Sequence, residues 1–128
     1  KAMGMKIISA KDHSESFLML STNRAKAMMM DDALLAGERA KSKNPADLVI
    51  TGTPQSREAY GCMVRKGDAA MKATVDEAIA QSQTSGEMAA IYQKWFNAPI
   101  PPKGLNLDFA LSDDMKALFA KPNAVIPE

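Results

Sequence analysis

The sequence predicts an α/β fold. Three observations carry that reading: short apolar runs alternate with helical patterns through the first half, capping residues stand where helices would begin, and the connections are short. Apolar residues make up 46% and charged residues 24%, values of a folded chain. A length of 128 residues suits one ordinary domain and is too short for two independent ones.

Taken in order, Lys6–Ala10 reads as a short strand. Asp12-His13-Ser14-Glu15 offers an N-cap with a glutamate three residues on, the capping-box spacing. Phe17, Leu18 and Leu20 give that helix an apolar face, through about Arg24. Ala25–Met30 is a second apolar run, too short for a helix and ended by two aspartates. Asp31 or Asp32 then caps a helix over Ala33–Lys43, closed by Asn44-Pro45. Asp47–Thr51 reads as a third strand, so the order predicts right-handed parallel crossovers.

Gly52-Thr53-Pro54-Gln55-Ser56 breaks the rhythm and marks a boundary. Tyr60–Arg65 reads as a further strand, with Cys62 buried in it. Asp68 leads into a helix with Met71, Val75, Ala78 and Ile79 on one face. Thr84-Ser85-Gly86-Glu87 has capping-box spacing and opens a helix with Met88, Ile91, Tyr92, Trp95 and Phe96 as its core face. Pro99-Ile100-Pro101-Pro102 enforces a non-helical segment. Ser112-Asp113-Asp114 starts a last helix, Met115–Ala120, and the tail from Lys121 should be loosely held.

Composition removes several classes of function. Sixteen basic against fifteen acidic residues leave a formal charge of +1, so nothing supports a nucleic-acid partner or a polybasic membrane patch. One cysteine excludes a disulfide within the chain and a thiolate metal cluster; one histidine excludes a multi-histidine metal site. No cofactor is called for. Apolar runs such as Met88–Tyr92 fall far short of the roughly 20 residues of a membrane span. No basic segment followed by an apolar stretch and cleavage site opens the chain, so no targeting signal is read. Ten methionines, three of them at Met28-Met29-Met30, read as irregular core filling.

Ligands of open α/β sheets bind beyond the carboxyl ends of the strands. His13 follows the first strand by three residues and Asp31 follows the second directly, which puts both on one rim at helix openings. One fixed anion, one potential cation or donor, and free backbone N–H groups suit a small molecule bearing both an amine and carboxylates. An aspartate before a helix is also an ordinary cap, and a histidine beside a cap is often only solvated. A phosphoacceptor domain using Asp31-Asp32, Thr51 and Lys66 lacks a further strand-end aspartate as nucleophile. A hydrolase lacks a Gly-x-Ser-x-Gly segment and a second histidine, so no enzyme is predicted.

Several segments carry a specific resemblance: Ile7-Ile8-Ser9-Ala10-Lys11-Asp12-His13, then Met29-Met30-Asp31-Asp32 through Ala40, then Pro54-Gln55-Ser56 through Met63. Gln83–Glu87, Lys94-Trp95-Phe96 and Pro99–Lys103 continue it. Together they resemble the periplasmic glutamate/aspartate-binding proteins of ABC importers, of the type II periplasmic-binding-protein family, over roughly their C-terminal half.

The resemblance implies two α/β lobes closing on an amino acid, of which this chain holds an incomplete portion. Residues 1–56 would belong to the second lobe, 57–60 would cross the hinge, and 61–128 would return to complete the first lobe. Asp31 would hold the ligand α-ammonium, and His13 would contribute to binding the acidic ligand. The resemblance further implies a periplasmic protein that hands glutamate or aspartate to ABC permease membrane subunits. The family's N-terminal half would lie outside these residues, with first-lobe arginine and hydroxyl residues and a cysteine to bridge Cys62. Without that clamp, millimolar binding or none is expected. The alternative is a self-associating module, in which a second copy covers the faces meant for the missing half and no ligand is bound.

Overall fold

A computed structural model describes residues 4–56 and 60–124 of the chain. Its helices follow local capping chemistry closely. Helix α1 spans His13–Ser21; the Asp12 carboxylate accepts from the Glu15 N–H at 2.8 Å. Glu15 reaches back to the Lys11 N–H, also at 2.8 Å, so the reciprocal box closes one residue earlier than in its usual form. The helix stops short of Arg24 because Asn23 turns left-handed, at φ 59°.

Helix α2 spans Asp32–Lys41 and stops two residues before the predicted Lys43, because the backbone becomes extended at Ser42. A 3-10 turn follows over Pro45–Asp47, opened by the proline. Arg39 and Lys41 lie in the last turn of α2, beside the carbonyl end of the dipole.

Helix α3, Ala69–Thr84, starts at Asp68, whose side chain accepts from the Met71 N–H at 2.9 Å. Helix α4 spans Glu87–Phe96. The predicted Thr84–Glu87 box does not form: Thr84 is the end of α3 and donates to the Ala80 carbonyl at 2.9 Å. The turn is made by Gly86 instead, at φ 85°, a conformation glycine adopts without a Cβ penalty. Helix α5, Asp113–Ala120, is capped by the Ser112 hydroxyl on the Met115 N–H at 3.2 Å. Lys116 lies 2.8 Å from Asp113 in its first turn, and by hydrogen bond and charge lowers the Asp113 pKa.

Helix α3 packs against both α4 and α5, and α2 packs on the 3-10 turn. The buried apolar residues among those described are Met19, Ala36, Tyr92 and Phe119. Tyr92 stacks on Phe96 with ring centroids 4.4 Å apart, and Phe96 meets Phe109 at 6.2 Å. The predicted core face of α4 is therefore divided. Tyr92 is buried, whereas Ile91 and Trp95 stay 43% and 45% exposed, with Lys94 over the Trp95 ring.

The strands are the main correction. Lys6–Ala10, Ala25–Met30, Asp47–Thr51 and Tyr60–Arg65 form no strand among the described residues. The pairing found there is an isolated antiparallel bridge between Ile100 and Leu105. An extended segment recovers the entropy of ordering only through a ladder and a covered face, and these runs find neither. Ile7 is 72%, Val49 80% and Met63 99% exposed. The α/β layering is accordingly not formed in these residues. Cys62 is exposed rather than buried, and Met5, Met29 and Met71 are likewise exposed rather than core-filling. The accessible surface, 10639 Å², exceeds the roughly 6,600 Å² that a compact monomer of 13.8 kDa would show. Of the predicted hinge segment, residues 57–59 lie outside the described residues.

Tyr92 yields one stability prediction. Its hydroxyl is buried without a hydrogen-bond partner, and burial, with the Asp32 carboxylate adding to it, raises the phenol pKa. A phenol whose folded pKa is raised contributes stability below its unfolded pKa, near 10, and loses it as pH rises beyond. At pH 7 the buried hydroxyl has lost its water without gaining a partner, so Tyr92→Phe should be neutral or stabilising by up to about 1 kcal/mol there. It should also flatten the decline in denaturation midpoint above about pH 10. Urea titrations at pH 7 and pH 10.5 check both.

Candidate functional site

The two candidate ligand residues stand where capping chemistry puts them. His13 is the first residue of α1, and Asp31 occupies the N-cap position of α2; both are exposed. Each thus adjoins a helix N-terminus, where unpaired N–H groups and the dipole favour anions. No described hydrogen bond or ion pair joins His13 to Asp31.

Asp31 does not act as an ordinary cap. Its side chain makes no capping hydrogen bond, although its backbone carbonyl accepts from the Leu35 N–H at 2.9 Å. The next carboxylate, Asp32, takes the Ala33 N–H at 2.8 Å. Asp31 is turned instead toward Tyr60, whose hydroxyl donates to Oδ2 across 3.4 Å. The acidic pair that opens α2 therefore meets both tyrosines of the chain: Tyr60 at Asp31, and Tyr92 within the field of Asp32. Sequence reasoning missed Tyr60. It sits 29 residues after Asp31 and has no local pattern that links the two.

Two concavities lie elsewhere. A groove of about 680 Å³ runs between Arg39 and Ala40 of α2, the Pro45–Asp47 turn and the stretch around Leu105 and Asn106. Arg39 crosses there to the Leu107 carbonyl at 3.1 Å. A second, about 240 Å³ and largely apolar, lies between Gly37, Ala40 and the Ile100–Lys103 segment. Neither is lined by His13 or Asp31. Among the described residues no three His, Cys, Asp or Glu side chains are grouped to hold a metal, and no helix is long and apolar enough to cross a membrane. Without the strands no shared sheet rim is formed among the described residues: the start of α2 can offer the Asp31 carboxylate to a cation, and the start of α1 separately offers an imidazole and backbone N–H groups to an anion.

The comparisons with known proteins bear on the same segments. The chain is 65% identical over 122 residues to an L-glutamate/L-aspartate-binding protein of Pseudomonas aeruginosa, covering 95% of this chain and 40% of that protein. Glutamate/aspartate import solute-binding proteins of Salmonella typhimurium and Escherichia coli are 63% and 62% identical over 121 residues, covering 94% of this chain and 40% of each. The chain thus spans about 40% of the length of the curated relatives it matches. Residues 2–98 match the family described as bacterial extracellular solute-binding proteins, family 3. Three quarters of the chain carry that match, and with identities above 60% to solute-binding proteins this chain belongs to the family 3 bacterial extracellular solute-binding proteins.

Proposed function

We propose that this chain is part of a periplasmic solute-binding protein that captures glutamate or aspartate and delivers it to the membrane permease subunits of an ABC importer. The observation that carries this reading is the 62–65% identity to proteins named for binding or importing those two amino acids. The family and these relatives are named for binding rather than for a reaction, in keeping with a protein that is not an enzyme.

In this reading Asp31 receives the ligand α-ammonium and His13 contributes to holding the acidic end. Its support is chemical: a carboxylate turned away from its own helix is available to a cation, and exposed His13 stands at a second helix start. Residues 1–56 form part of one lobe, 57–60 cross between lobes, and 61–128 complete the other. The rest of the protein then supplies the clamp on the ligand carboxylates, and closure excludes water from the charge-assisted hydrogen bonds.

Calorimetry on the full-length protein tests the function. Glutamate or aspartate should bind with micromolar or tighter affinity, about −8 kcal/mol or better. Absence of heat for both acidic amino acids, with heat for a neutral one, would reject the assignment.

A second reading, self-association of the 128-residue chain, draws on its large accessible surface and on exposed Ile7, Val49 and Met63. Sedimentation of this chain at micromolar concentration separates the two. A dimer would favour self-association, and a cooperatively unfolding monomer would remove the need for a second copy.

A further inference from the structure

We infer that Tyr60 is a positioning residue for ligand binding: its hydroxyl donates to Asp31 Oδ2 and holds the carboxylate open toward an ammonium group. The inference deepens the proposed function and rests on the reading of Asp31 as the ammonium contact.

The geometry separates Asp31 from the usual duty of an aspartate at a helix start. Such a side chain normally turns back onto N–H groups two or three residues on. Here the Ala33 N–H is taken by Asp32, and Asp31 makes no capping bond, so its carboxylate is not consumed by the helix. What orients it is Tyr60, at 3.4 Å from Oδ2.

A phenol is the right chemistry for that task. It donates one proton, carries no charge, and engages one oxygen while leaving Oδ1 and the whole negative charge for a cation. A lysine or arginine in its place would compete with the ligand's own ammonium. The contact is longer than the roughly 2.7–2.8 Å of a strong O–H···O bond, so Tyr60 restrains the rotamer of Asp31 rather than neutralising it. Restraint matters because an unrestrained carboxylate must be ordered when the ligand binds, and that entropy opposes binding.

Tyr60 is 84% exposed, so little of its ring is buried by packing. Removing the hydroxyl alone therefore tests positioning without disturbing a core. The experiment is a double-mutant cycle in the full-length protein, with glutamate as the calorimetric probe: wild type, Tyr60→Phe, Asp31→Asn and the double variant. Tyr60→Phe should weaken glutamate about fivefold to tenfold, with the unfolding midpoint unchanged. In the Asp31→Asn background the same change should have no further effect, because the amide that Tyr60 would still orient carries no charge to receive the ammonium.

Wild-type affinity in Tyr60→Phe overturns the inference, and so does an equal loss in both backgrounds. Failure of the underlying reading looks different: Asp31→Asn would then bind glutamate as tightly as wild type, whatever Tyr60→Phe does.

Discussion

Replacing Asp31 by alanine is expected to weaken glutamate binding to the full-length protein by about a hundredfold or more. A hydrogen bond between charged groups contributes about 1.5–3 kcal/mol, and truncating one partner of a desolvated charge pair costs about 2–5 kcal/mol, because the other charge is left unpaired. A loss of about 3 kcal/mol is a little over a hundredfold and turns micromolar binding into binding at about 0.2 mM, still within reach of calorimetry. Most N-cap aspartates would also cost about 1 kcal/mol of stability on truncation. Asp31 makes no capping bond, so its loss should leave the thermal midpoint almost unmoved. Affinity lost with stability kept is the signature of a binding carboxylate. Stability lost with affinity kept would return Asp31 to the role of a helix cap.

The second large effect concerns α5. Phe119 is its buried residue, 8% exposed, on a helix that packs against α3. Phe119→Ala removes a ring from a core in which four apolar residues are buried among those described. Such truncations cost about 3–5 kcal/mol, the lost transfer energy of the ring plus the cavity it leaves. Whole domains of this size are stable by only about 5–15 kcal/mol, and this chain exposes more surface than a compact one. The variant should lose cooperative unfolding in urea, or shift its midpoint strongly, as followed by circular dichroism. A midpoint within experimental error of wild type would show that α5 is not integral to the packed unit.

Helix starts were legible in the sequence because capping is short-ranged. Asp12, Asp68 and Ser112 each accept from a backbone N–H three residues on, a geometry written within four residues. Helix ends were less legible. Asn23 and Ser42 end their helices through backbone angles that composition does not announce. Gly86 preempted the Thr84 box for a similar reason, since a left-handed glycine lets two helices adjoin without an intervening cap.

The extended runs behave oppositely. Ile7-Ile8 and Leu48-Val49-Ile50 have strand composition, yet a strand exists only through a neighbour, and none is paired with them among the described residues. Half of the candidate site shared that fate. The positions of His13 and Asp31 at helix openings were readable, while their separation from the two grooves and the approach of Tyr60 to Asp31 were not.

The chain by itself determined its family, its helix openings and the types of charged group at them, because identity and capping reside in contiguous residues. Tertiary structure alone decided which way the Asp31 carboxylate turns, which tyrosine meets it, and which apolar runs stay uncovered. Those outcomes depend on segments distant in sequence, and a contact between them forms only when the gain of packing or hydrogen bonding exceeds the entropy of bringing them together.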